Sequence, residues 1–145
     1  MAGHQKIIFE IEQDADGYPP VGAEGVWTRE QGENRFVVDN IPFFATQATM
    51  GDVIEAVTDG EVLRYTATIE HTGNSLIRVH PYEGTNPAEV RKALEDMGCA
   101  TEWLAEYALI AVNVPPSVKL TAVQEILARG AAEGKWDYEE PLLRQ

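Results

Sequence analysis

The stretch SLIRVHPYEGTNPAEVRKALEDMG, residues 75–98, decides the fold. It opens as a strand candidate, Ser75 to Tyr82, with Leu76 and Ile77 beside Val79. Asn86-Pro87-Ala88-Glu89 then starts a helix: Asn is a favoured N-cap, Pro suits the first helical position, and Glu stands three residues after the cap. Val90, Leu94 and Met97 repeat at spacings of four and three, and Gly98 supplies the stop. Downstream, Thr101 to Ala105 and Tyr107 to Val114 read as two strands around Glu106. Pro115-Pro116-Ser117 ends the second strand and opens another helix, whose apolar stripe is Leu120, Val123, Ile126 and Leu127 and whose end is Gly134. Trp136 to Leu143 gives a last strand. The order strand, helix, strand, strand, helix, strand is the split βαβ pattern of ferredoxin-like folds, which we assign to residues 75–145.

Upstream the punctuation changes. Ile7, Phe9 and Ile11 alternate with Ile8, Glu10 and Glu12, the period of a half-buried strand. Asp14-Ala15-Asp16-Gly17-Tyr18-Pro19-Pro20 breaks that strand, because Pro lacks a ladder N–H. Ala23 to Arg29 and Arg35 to Asp39 flank a hairpin loop at Gln31-Gly32-Glu33-Asn34. Val53 to Val57 and Val62 to Glu70 flank Asp59-Gly60, a two-residue hairpin signal. Short strands at this spacing predict a small SH3-like barrel over residues 1–74, and no helix of ordinary length fits before residue 85. The fold class is α+β, a barrel subdomain followed by a ferredoxin-like one.

With 145 residues the chain is long enough to bury a core without metal or disulfide staples. Its 24 acidic against 11 basic side chains give a formal charge of −13, which argues against nucleic acid and against anionic membrane surfaces. Residues 1–74 hold 13 acidic and 4 basic side chains, a net of −9, and residues 75–145 hold 11 and 7, a net of −4. Ile7-Ile8-Phe9 is too short for a signal peptide, and no apolar run is long enough for a span, so the expectation is a cytoplasmic protein. A single cysteine fits a reducing compartment.

No assembled catalytic set is visible. His4, His71 and His80 lack metal-ligand spacing, and His4 reads as a solvated tail. Cys99 follows a helix C-terminus, the wrong electrostatic end for a thiolate. Gly73-Asn74-Ser75 is not a nucleophile elbow. Neither a metal nor a cofactor is expected. The candidates for partner or ligand binding are Tyr18, Glu24, Trp27, Asn40, Phe43, Asn74 and Arg78. Aromatics on Pro-containing turns carry large contact area at low entropy cost. The competing reading has Trp27, Phe36, Phe43 and Phe44 filling a barrel core, with Asn40 capping a turn. Arg78, between Ile77 and Val79 in a strand, calls for a carboxylate, with Glu24, Asp52 and Glu70 as candidates, or else anchors an anionic ligand. Asp137, Glu139 and Glu140 read as a solvated acidic face or a patch for a basic partner.

Several blocks carry a resemblance: Asp16-Gly17-Tyr18-Pro19-Pro20 with Glu24 and Trp27, Asp39-Asn40-Ile41-Pro42-Phe43-Phe44, Gly51-Asp52-Val53, Gly73-Asn74-Ser75 with Ile77-Arg78-Val79, Ala111-Val112-Asn113-Val114-Pro115, and Trp136 with Tyr138-Glu139-Glu140. In this order the chain resembles the bacterial family known as domain of unknown function 4265. That resemblance implies a bacterial setting and no particular activity. In size and charge such proteins are similar to immunity proteins and antitoxins. The expectation is therefore a binding protein for a basic partner, docking mainly on residues before Asn74. Two other classes remain: a small-molecule sensor with a pocket containing Arg78 and Asn40, and a hydrolase using Glu24 or Asp52 as base with His71 or His80.

Overall fold

A computed structural model describes residues 4–145. It is a sheet-rich α+β structure with two helices, dividing into one unit that ends at Thr72 and another that begins at Gly73.

The first unit is a closed five-stranded barrel of β1 (His4–Glu10), β2 (Ala23–Gly32), β3 (Arg35–Val38), β4 (Val53–Asp59) and β5 (Val62–Glu70). Consecutive strands pair antiparallel, and the barrel closes through a short parallel seam where Ile7 and Ile8 face Leu63 and Arg64. Closure removes the free edges a five-stranded sheet would otherwise expose. Alternation sends Ile7, Phe9, Val26, Phe36, Val38, Ile54 and Ala56 inward, where they are buried with Ile41 and Phe44 of the long β3–β4 connection. The rings of Phe9 and Tyr65 stack with centroids 4.5 Å apart. Each large apolar side chain enclosed in this way stabilises the barrel by about 1.5–3 kcal/mol.

The second unit is a four-stranded antiparallel sheet in the order β7-β8-β6-β9, built from β6 (Ser75–Pro81), β7 (Ala100–Leu104), β8 (Leu109–Val114) and β9 (Trp136–Leu142). Helices α1 (Pro87–Asp96) and α2 (Leu120–Ala132) bring Val90, Leu94, Val123 and Leu127 onto Ile77, Val79, Ile110, Val112 and Val114. The Asn86 side chain accepts the Ala88 N–H at 2.9 Å, and Pro87 is the first helical residue. Gly98 stands at φ +109°, a conformation a side chain would strain, and its N–H closes onto the Glu95 carbonyl at 2.9 Å.

Several boundaries differ from the sequence reading, among them the end of β2, which runs on to Gly32 into the expected hairpin loop. Tyr107 lies in a single 3-10 turn, Ala105–Tyr107, rather than at the start of β8. Ala108 follows it at φ +49°, and this left-handed step turns the chain before Leu109 can pair. The second helix starts at Leu120, because Pro115 to Val118 form a turn closed by the Val118 N–H on the Pro115 carbonyl at 3.0 Å. Lys119 offers no side-chain cap there. The Leu120 N–H instead donates to Gln145 Oε1 at 3.0 Å, and Gln145 Nε2 donates to the Val118 carbonyl at 2.7 Å.

Candidate partner-binding site

The side chains singled out in the first unit divide into those that hold backbone and those that face solvent. Glu24, on β2, accepts three successive peptide N–H groups: Phe43 at 2.7 Å, Phe44 at 2.9 Å and Ala45 at 2.7 Å. Charge-assisted bonds of this kind are about twice as strong as neutral ones. Asn40 Oδ1 accepts the Trp27 N–H at 2.8 Å while the Asp39 N–H donates to the Trp27 carbonyl at 2.9 Å. Asp52 is fully buried and accepts the N–H of Thr49 and of Thr72, at 2.9 and 3.0 Å. The β3–β4 connection is thus tied down by three side chains whose oxygens face backbone donors. A base that must receive a substrate proton needs an open lone pair in a cleft, and neither Glu24 nor Asp52 is presented that way. Phe43 is half-buried and Phe44 buried in the core, so this pair serves packing as well.

Tyr18 belongs to the second group. It is 43 % exposed, on a loop built around Asp14, whose Oδ1 accepts the N–H of Asp16 at 2.9 Å and of Tyr18 at 3.0 Å. The Asp14 N–H returns a bond to the Tyr18 carbonyl at 2.7 Å, and Gln13 Nε2 donates to the Pro19 carbonyl at 2.9 Å. An aromatic ring is therefore held out on an ordered loop that also exposes Glu12, Asp14 and Asp16.

Trp27 is 46 % exposed and does not fill the barrel. The Lys6 ammonium lies 5.3 Å from its ring centroid, and Lys6 is its register partner on β1. Arg29 stands two residues along the same strand, with its Nε 3.5 Å from Asp39. His4 is not a loose tail: it begins β1, opposite Arg29, with Nε2 2.8 Å from Asp39 Oδ2. The surroundings of Trp27 are thus cationic, unlike those of Tyr18.

In the second unit Asn74 is half-buried and directly precedes β6. Arg78 is only 3 % exposed. Register sets it between Ala111 of β8 and Glu139 of β9, with Glu102 of β7 opposite Ala111, so one cation and two carboxylates stand in a single cross-strand row. Directly opposed positions in a sheet lie about 5 Å apart, close enough for opposite charges to attract. Glu139 also lies 3.9 Å from His80 Nε2. In the sequence Glu139 stands out only as part of an acidic run, because its place beside β6 follows from a strand order that local pattern does not reveal. Burial pushes the Cys99 thiol up from 9.0 to about 11, which leaves it neutral and unreactive near neutrality. Among the described residues no group of three or more His, Cys, Asp or Glu could hold a metal, and no helix is long and apolar enough to cross a membrane.

A five-stranded barrel followed by a four-stranded sheet under two helices, with an exposed aromatic on an acidic loop, defines a class of α+β protein. Residues 24–138 match the model of domain of unknown function 4265, and the chain belongs to that family. A hypothetical protein from Neisseria gonorrhoeae has a similar solved structure, with a TM-score of 0.80 at 19 % identity over 100 % of this chain and 97 % of that one. Among curated proteins none matches this chain significantly in sequence.

Proposed function

We propose that this protein is a non-catalytic binding module, acting in the cytoplasm, whose first unit captures a basic protein partner in the manner of an immunity-type inhibitor. In this reading the barrel is SH3-like and the second unit ferredoxin-like, and the strand order β7-β8-β6-β9 supports the latter. The observation that carries the reading is Tyr18: a 43 % exposed ring on a hydrogen-bonded loop whose neighbours Glu12, Asp14 and Asp16 are exposed carboxylates. A pre-ordered aromatic loses little entropy on docking, and the carboxylates around it attract a cationic surface from a distance. Trp27 fits this role less well, since Lys6 and Arg29 would repel the same partner. The charge of −13 adds a long-range field that speeds encounter.

The test is cross-linking and pull-down from the source bacterium in low and high salt, followed by kinetics on the purified partner. The expected partner is basic, associates more slowly as salt rises, and dissociates at least about tenfold faster from Tyr18→Ala. Equal capture and equal dissociation by Tyr18→Ala and an Asp14→Ala/Asp16→Ala double variant would sink the reading, as would the absence of any low-salt partner.

A further inference from the structure

A cavity of about 380 Å³ lies between α1 and α2 in the second unit, within the roughly 300–1,000 Å³ range of small-molecule sites. Its apolar lining comes from Val90 and Leu94 of α1, Ile126 and Leu127 of α2, and Trp136. The indole N–H of Trp136 already donates to the Leu127 carbonyl at 2.9 Å, so this residue asks no hydrogen bond of an occupant. The polar lining is Thr85, Asn86, Glu89 and Lys135.

Most of that polar lining is already engaged. Thr85 Oγ1 donates to the Lys135 carbonyl at 2.8 Å, and Asn86 Oδ1 takes the Ala88 N–H. The Glu89 and Val90 N–H groups go to the Asn86 carbonyl at 3.1 and 3.3 Å, so the start of α1 offers little to an anion. Two full charges remain. Glu89 is exposed and makes no ion pair among the described residues. Lys135 pairs with Glu133 at 3.1 Å, but both side chains are at least half exposed, and such surface pairs exchange partners at little cost.

Charge then selects the occupant. A simple anion would meet Lys135 but also Glu89 and Glu133, and a simple cation would meet Lys135 as a repulsive neighbour. A molecule carrying both signs on an apolar body satisfies the whole lining. We propose that this cavity binds an apolar α-amino acid, with its side chain against Ile126 and Trp136, its ammonium at Glu89 and its carboxylate at Lys135.

The experiment is isothermal titration of the full chain with L-leucine and L-phenylalanine, and with two leucine analogues: 4-methylpentanoate, which lacks the amine, and 3-methylbutylamine, which lacks the carboxylate. Leucine or phenylalanine is expected to bind, with each analogue at least about tenfold weaker than leucine, the scale of one charge-assisted contact. Glu89→Gln should weaken leucine about tenfold and leave 4-methylpentanoate unchanged or tighter, and Lys135→Gln should weaken both. Ala93→Trp, at an exposed position of α1 that also lines the cavity, should abolish binding by filling it. Absence of heat from either amino acid at millimolar concentration would overturn the proposal. So would analogues that bind as well as leucine, or unchanged binding by Glu89→Gln and Lys135→Gln, two exposed substitutions that leave the core untouched.

Discussion

The carboxylate of Glu24 accepts the peptide N–H of Phe43 at 2.7 Å, across 19 positions of chain. The same carboxylate takes the next two N–H groups, at Phe44 and Ala45, and so sets the entry of the β3–β4 connection against β2. Three donors converge on one side chain, and none of them has a strand partner to return to. Glu24→Gln keeps the size but replaces one acceptor oxygen with a donor and removes the charge. We expect a loss of about 2–3 kcal/mol in urea unfolding, with an unchanged m-value. The amides of Phe43, Phe44 and Ala45 should exchange with solvent faster, ahead of global unfolding. Retained stability and slow exchange would show that the carboxylate is dispensable to the loop.

Gly130, inside α2, lies directly on the ring of Trp136. A Cβ placed there would come within 1.9 Å of Trp136 Cζ2. Elsewhere in a helix Gly→Ala gains up to about 1 kcal/mol from propensity. Here the sign reverses: Gly130→Ala should cost about 1–3 kcal/mol, because a ring bonded to the Leu127 carbonyl at 2.9 Å has to leave its place. The check is thermal unfolding together with the Trp136 indole N–H resonance, which should shift out of its hydrogen-bonded position.

The elements were legible where local chemistry determines them. Asn86 and Pro87 mark the start of α1 because cap and first-turn preferences act within three residues. The alternation of Ile7 and Phe9 with polar neighbours marks β1 because side chains on a strand have period two. What sequence could not supply is long-range. Pro115-Pro116-Ser117 reads as the opening of a helix, yet α2 begins at Leu120 with a donor satisfied by Gln145, 25 positions away. Glu24, Asn40 and Asp52 attract notice as polar residues among apolar ones, but their partners are backbone groups 13 to 21 positions away, or three in the case of Thr49, which no side-chain pattern records. Arg78 calls for a carboxylate, and within its own sheet the register supplies one that no local pattern marks. Glu139 stands opposite it only because β9 adds beside β6. Exposure separates Tyr18 and Trp27 from Phe36 and Phe44, a distinction that hydrophobicity alone does not make.

Cys99 gives a pH dependence with a definite sign. Burial holds the folded thiol at about 11 against 9.0 when free. Between those values the unfolded chain has lost its proton and the folded chain keeps it, so stability is intact below pH 9 and falls as pH rises toward 11. The loss has an upper bound of about 2–3 kcal/mol. Cys99→Ser titrates nowhere in this window and should flatten that part of the profile, at a lower overall stability. Native protein at pH 8 should resist thiol reagents until it is unfolded. Rapid labelling of folded protein would show that the thiol is open to solvent.

Gly25 offers the converse of Gly130. A Cβ there would approach Lys6 Cδ to 2.7 Å, yet the obstruction is the middle of a flexible, exposed side chain and not a ring held by its own hydrogen bond. Lys6 can swing aside. In doing so it gives up its position over Trp27, 5.3 Å from the ring centroid, an exposed cation–π contact worth about 0.5–1 kcal/mol. The alanine recovers part of this through reduced freedom of the unfolded chain. Gly25→Ala should therefore shift stability by no more than about 1 kcal/mol while moving the Trp27 indole resonance and leaving those of Trp103 and Trp136 in place. A large destabilisation would mean that Lys6 is fixed against the barrel by more than the ring it covers.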